Sequence, residues 1–269
     1  MSSGQRFFGT PSQQAVTRRA AALWCLVKDD PRYSTHGRAI GLNARLSDDI
    51  ELHLALARLQ GIGPIDDIAD ADADIRDTEL RELGLITDRY AYWLTGDTSL
   101  RTCADLVAAF RLPDDLEPEW IDPDTPIDRL HDLAELLAAC EMMLPMENVV
   151  RGIALPSVYV LLKDRSGRPV AHASSTRAHH PDAPNGGEAH WGMLATLPER
   201  RGQGLAAYLG ALAMVEMNRR YGFRSFGTGI REGNTPSEAL CTRLGLAATG
   251  RSVLLAIDPA LLDGDKLTK

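Results

Sequence analysis

The stretch LATLPERRGQGLAAYLG, residues 194–210, puts Arg200 and Arg201 directly before Gly202 and Gly204, and both glycines head an Ala/Leu-rich segment. Leu205, Leu209 and Leu212 recur at helical spacing, so a helix runs from about Gln203 to Tyr221, with Gly222 as its stop. Glycine at a helix start costs backbone entropy. What it offers is an approachable backbone where several N–H groups lack partners and the partial charge is positive. An anion fits there, most often phosphate. A Walker loop requires Gly-Lys-Ser/Thr, which is absent. Gly202-x-Gly204-x-x-Ala207 fits the relaxed dinucleotide fingerprint, but Pro198 to Arg201 separate the preceding strand from the first glycine, where a Rossmann fold turns at once. The acid expected at the end of the next strand is represented by Glu232 alone, a little beyond it. A Rossmann-type nucleotide-binding protein is therefore the weaker reading.

Around this unit the pattern is regular. SVYVLLK and PVAHASST are two strands joined by the turn DRSGR, a hairpin. The polar loop RAHHPDAPNGG leads to a third strand, EAHWGMLAT, and after the glycine helix come a strand FRSFGTGI, a helix opened by TPSE and a last strand SVLLAI. Thr235 and Glu238 read as a capping box with Pro236 at the first helical position. PIDRLHDLAELLAACEMML, just ahead of the hairpin, is a helix with Leu130, Leu133, Leu136 and Leu137 on one face. Helix, three antiparallel strands, helix, strand, helix, strand is an α+β, mixed α/β layer architecture.

The first 112 residues read as a mainly helical N-terminal domain. Helices are expected over SQQAVTRRAAALWCLVK, over SDDIELHLALARLQG with Ser47 as N-cap, over DTELRELG and over SLRTCADLVAAF with Ser99 as cap; RYAYWL is a strand. The acidic run DDIADADADIRD, residues 66–77, reads as a solvated loop or helix start. Arg58-x-x-Gly61-x-Gly63 repeats the short glycine pattern without a following Ala/Leu helix and reads as chance, the alternative being a decayed copy of the C-terminal unit. LPDDLEPEWIDPDTP, rich in proline and acid, marks the boundary to the second domain, residues 113–269, and holds one short strand around Trp120.

The 269 residues carry a formal net charge of -8 and 44% hydrophobic residues. That balance speaks against nucleic-acid or anionic-membrane partners and suits a cationic substrate. Cys25, Cys103, Cys140 and Cys241 form no metal-ligand spacing, and no metal is expected. The N-terminal sequence lacks the features of a signal peptide, and a reduced cytoplasmic setting is expected.

LATLPERRGQGLA resembles the signature segment of the GNAT superfamily of acyl-CoA N-acyltransferases, Arg/Gln-x-x-Gly-x-Gly/Ala. Arg201, Gly204 and Ala206 match it, and Leu194-Ala195-Thr196-Leu197-Pro198 match the end of the family's preceding strand. A second family segment, an Asn followed by a helix, a Tyr and a Gly-aromatic pair, corresponds to NTPSEALCTRLGL, with Asn234 in place and Cys241 where the Tyr is usual. The resemblance covers roughly residues 115–258. It implies a GNAT fold with a central, mostly antiparallel twisted sheet, acetyl-CoA as co-substrate, and transfer of its acetyl group to a primary amine. The expected partner is a small-molecule amine, with a homodimer as an option. A catalytically silent domain that binds acyl-CoA as sensor or scaffold is the alternative.

The resemblance also assigns roles. Backbone N–H groups across Gly202, Gln203, Gly204, Leu205, Ala206 and Ala207, with Arg201, would hold the CoA pyrophosphate. Leu194, Ala195 and Thr196 would hold the pantetheine arm as an added strand, one N–H polarising the thioester carbonyl. Asn234 would touch the pantetheine. A base must accept the ammonium proton; Glu188 opens the strand before the glycine loop and His190 shares its face, so these two are the candidates. Cys241 stands where a general acid would. His179 and His180, adjacent in the polar loop, read as rim residues, since neighbours on an extended chain point opposite ways.

Overall fold

The computed structural model describes residues 5–262. The chain runs through α1 (Pro11–Val27), β1 (Tyr33–Thr35), β2 (Ile40–Asn43), α2 (Ile50–Gln60), β3 (Ile62–Ala69), α3 (Asp70–Glu82), β4 (Ile86–Thr95) and α4 (Ser99–Ala109). It continues through β5 (Leu116–Ile121), α5 (Ile127–Ala139), α6 (Glu147–Val150), β6 (Ser157–Asp164), β7 (Pro169–Arg177), β8 (Glu188–Thr196), α7 (Leu205–Tyr221), β9 (Ser225–Arg231), α8 (Thr235–Arg243) and β10 (Leu246–Ile257). All ten strands form one sheet in the order β1-β2-β3-β10-β4-β9-β8-β7-β6-β5. Only β2 with β3 and β8 with β9 pair in parallel among the described residues. The sheet is therefore mostly antiparallel, unlike the doubly wound parallel sheet of a Rossmann fold.

Local chemistry explains the element ends. Thr10 and Gln13 form a capping box at α1, with Pro11 in its first turn. Asp49, not Ser47, caps α2 by accepting from the N–H groups of Glu51 and Leu52, and Gly61 at φ 99° closes it. Thr98, not Ser99, precedes α4, because the Ser99 hydroxyl is committed to the Gly245 carbonyl at 2.8 Å. Asn234, not Thr235, caps α8, its side chain accepting from the Ser237 N–H. The second copy of the glycine pattern is a helix stop followed by a strand: a Cβ on Gly63 would lie 2.9 Å from the Ala57 nitrogen, so glycine there lets α2 close on β3.

The division read at residue 112 does not divide the sheet. The first 112 residues hold four helices and four strands, and β4 sits between β9 and β10, paired with both. Leu254 and Ala256 of β10 are packed in the core with Ile40, Leu42, Ile65 and Leu80. The larger core gathers β6, β7, β8 and α7 with Cys103 of α4. The acidic run is not a solvated loop at its start. Asp66 and Asp67 are buried inside β3, where a kink with Asp67 at φ 63° accompanies a register shift against β10. Asp67 accepts from Arg45 and Arg251, which offsets the cost of burying its charge. From Asp70 onward the run is helical, as α3.

Candidate active site

The glycine loop stands at the mouth of a parting between two strands. β8 and β9 pair only through Glu188, Ala189 and His190 against Ser225, Phe226 and Gly227. Beyond His190, β8 runs on to Thr196 and β9 to Arg231 without pairing to each other. β8 also bulges, with Gly192 at φ 154°, Met193 at φ 52° and a register shift against β7 at the same place. Buried His172 fixes the bulge by donating from Nδ1 to the Met193 carbonyl at 2.9 Å; burial pulls this imidazole down to about 4, so it is neutral. The parted strands leave a sheet edge inside the protein, an acceptor for an extended guest.

The chain then makes a short turn over Pro198–Arg200 and enters α7 through Gly202 at φ 77° and Gly204 at φ 76°. Both need the left-handed region that glycine enters freely. A Cβ on Gly204 would also come within 3.2 Å of the Phe110 ring, which stacks on Tyr208. No side chain caps α7, so its first N–H groups remain available to an anion. Arg200 is paired with Asp115, and exposed Arg201 donates to the Thr196 carbonyl at 3.3 Å.

One cavity of about 1090 Å³ joins these features, larger than the usual range of about 300–1,000 Å³ for one small ligand. Leu194, Thr196, Arg201, Gly202, Gly204, Leu205, Ala206, Ala207, Asn234 and Cys241 line one part of it, and His190 lines the other. Three expected residues stay out of the wall. Gln203 is exposed, Ala195 is packed in the core, and Glu188 is hydrogen-bonded to Tyr92 outside the wall. The Tyr92 hydroxyl donates to Glu188 Oε2 at 3.0 Å, and Arg45 is 3.9 Å from Oε1. Burial raises the Glu188 carboxyl, with Tyr92 and Arg45 opposing it. Burial pushes the Cys241 thiol up to about 12, which makes it a poor proton donor.

The far end of the cavity comes from the first half of the chain: His36 and Arg38 between β1 and β2, Asp66 on β3, and Tyr90 and Tyr92 on β4. His179 joins them. It is not a rim residue but 5% exposed, bridged to Ser34, and brought down to about 4 by burial. His180 remains half-buried beside Asp182. Asp66 accepts from Ser34 Oγ at 2.5 Å and from His36 Nε2 at 3.2 Å. Burial works to raise its carboxyl, but His36, then His179 and Ser34, hold it well below the usual carboxylate range. His36 meets His190 edge to face, ring centres 4.2 Å apart. Burial first, then His36 and Arg38, push His190 well below its ordinary value. None of these first-half residues carries a local motif; the one available signal was the period of RYAYWL, which sets Tyr90 and Tyr92 on one face.

The comparisons agree with this geometry. Residues 119–246 match the model of the acetyltransferase (GNAT) family. No curated protein matches the sequence. A GCN5-related N-acetyltransferase from Kribbella flavida is 17% identical, with 90% of this chain and 95% of that one covered at a TM-score of 0.51. A Drosophila protein is 12% identical, with 92% and 89% covered at 0.54. A GCN5-related N-acetyltransferase-like protein from Streptococcus suis is 16% identical, with 84% and 82% covered at 0.51. At these identities the structures share the fold, and the shared fold extends over the first half of the chain. The family-model match places a GNAT acetyltransferase domain at residues 119–246 of the chain.

Proposed function

We propose that the protein transfers the acetyl group of acetyl-CoA to the primary amine of a small molecule. The observation that carries this reading is the single cavity that links the parted strands and glycine loop to a polar chamber of histidines, tyrosines and a carboxylate. The residues fit the co-substrate. Side chains at Gly202 and Gly204 would fill the approach to the α7 N-terminus, and the Thr196 hydroxyl, in the cavity wall, is buried without a partner among the described residues. Arg201 and the first N–H groups of α7 would hold the pyrophosphate, and the free edge of β8 from Leu194 to Thr196 the pantetheine arm. Asn234, already engaged as a helix cap, lines the same groove.

Bound acetyl-CoA supplies a thioester carbonyl for attack by an amine. The protein's part is to orient the two, to exclude water, and to take a proton from the acceptor ammonium. His190 stands at the vertex where the strands part. Glu188 serves as the acceptor that fixes the Tyr92 hydroxyl in the chamber wall. The net charge of -8 favours an amine over nucleic acid or an anionic membrane. No helix among the described residues is long and apolar enough to cross a membrane. A free-thiol release assay with acetyl-CoA over a panel of small amines tests the reading. Amine-dependent thiol release is expected; tight acetyl-CoA binding with no release for any amine would instead favour the silent acyl-CoA sensor.

A further inference from the structure

The first half of the chain places a carboxylate–imidazole pair in the wall of this cavity, and no sequence motif announces it. Asp66 is 2% exposed, held by Ser34 Oγ, and contacts His36 Nε2 through both oxygens at 3.3 and 3.2 Å. With Nε2–H donated to Asp66, the lone pair remains on Nδ1, which is buried without a hydrogen-bond partner among the described residues. A carboxylate on one ring nitrogen fixes the tautomer and stabilises the imidazolium that forms when the other is protonated. We propose that His36, oriented by Asp66, accepts the proton that the acceptor ammonium must lose. This rests on the acetyl-transfer reading above and names the base within it.

The neighbouring groups support the choice. The titratable groups facing His36 are Asp66 from β3, His179 from the loop after β7 and His190 from β8, with Arg38 of its own loop acting on His190. Among these, Asp66 alone is anionic, and it is the one hydrogen-bonded to the ring. His190 is held too far below its ordinary value to be an effective base at neutral pH. His179 is held down as well, to about 4. Glu188 is outside the cavity wall and already accepts from the Tyr92 hydroxyl. In the step itself one ammonium N–H bond breaks, its electron pair stays on nitrogen as the attacking lone pair, and the proton goes to His36 Nδ1. That proton leaves to solvent before the next turnover. Ser34 acts as a positioning residue, because it touches Asp66 alone of the pair.

The test compares wild type with His36→Gln and Asp66→Asn by thiol release from pH 6 to 10, using an amine that wild type accepts. Thermal stabilisation by acetyl-CoA reports the fold and the co-substrate groove in each variant. At pH 7 both variants are expected to lose about 10²–10⁴-fold in kcat with acetyl-CoA stabilisation retained. Their rates should climb about tenfold per pH unit toward wild type as the amine deprotonates by itself, an outcome that a merely structural role would not produce. If one variant fails to fold, the other carries the test. A folded variant with the wild-type rate and pH profile overturns the assignment of the base while leaving acetyl transfer intact. Wild type that binds acetyl-CoA yet acetylates no amine at any pH overturns the acetyl-transfer reading and the base with it.

Discussion

Cys241 shows how one residue's surroundings decide its role. It stands in the family segment where a tyrosine is usual, lines the cavity, and is 2% exposed on α8. Burial raises its thiol to about 12, which weakens it as a proton donor. Cys241→Ala is expected to keep kcat within about threefold and to cost about 1 kcal/mol or more in stability through the lost packing; a kcat fall of about 10²-fold in a folded variant would make the thiol the proton donor. The same scale shows what sequence can announce. Gly202 and Gly204 were legible because a helix start approached by an anion demands them; Asn234 was legible only through the family segment, its role as the α8 cap having been read for Thr235. His36, Asp66 and His179 were not, because each gains meaning only from a partner far along the chain. Ser34 and Asp66 are 32 residues apart, and His190 meets His36 from the other half of the chain. Asp66 was further hidden by its run of acids, since charge at that density normally faces water.

Elements place these residues by pairing and parting. β4 is the joint between the halves, running antiparallel to both β9 and β10. Its Tyr92 crosses β9 at Gly227, where a Cβ would overlap the tyrosine hydroxyl and ring. Gly227→Ala must therefore push Tyr92 off Glu188 and disturb the chamber wall. The expected cost is about 1–3 kcal/mol of stability, the scale of overpacking, with a raised KM for the amine and an unchanged KM for acetyl-CoA. Urea denaturation with steady-state kinetics checks this, and a variant with wild-type stability and KM would show that Tyr92 has room to move. α7 approaches β8 by a similar device, Trp191 donating to the Gly210 carbonyl at 2.9 Å. Most helices and the strands from β5 onward were legible from period and punctuation. β1 and β2 were not, because strands of three and four residues carry too little alternation to register. β3 was missed because its glycine, proline and paired acids all disfavour a strand; burial between α2 and β10 overrides that preference.

At the scale of the whole molecule, the C-terminal part supplies the parted strands and the glycine loop, and the first half supplies the far wall of the same cavity. Sequence periodicity sees segments, not the sheet that joins them: strands from both sides of residue 112 pair in one ten-stranded sheet. Folding buries three histidines, His179 in the chamber wall, His172 under the β8 bulge and His53 against Gly63, so acid should destabilise the fold. Burial holds His53, His172 and His179 each at about 4 in the folded state, against about 6.5 in the unfolded chain. Above about pH 6.5 both states are neutral at these sites and the stability is complete. As pH falls toward about 4 the unfolded chain binds protons that the folded chain does not, and stability drops by on the order of 3 kcal/mol per histidine. Urea midpoints should therefore decline steadily below about pH 6.5, and a flat profile down to about pH 5 would show that these imidazoles are not shielded. The central claim is that the parted strands and glycine loop hold acetyl-CoA, and thermal unfolding with acetyl-CoA or NAD, on wild type and Gly204→Asp, tests it most directly. An aspartate there would take up the free N–H groups of α7, repel phosphate and crowd Phe110. Acetyl-CoA at about 100 times its Kd should stabilise wild type by about 2.7 kcal/mol, with no gain from NAD and none in a folded Gly204→Asp; equal stabilisation of both proteins by acetyl-CoA, or of wild type by NAD, would contradict it.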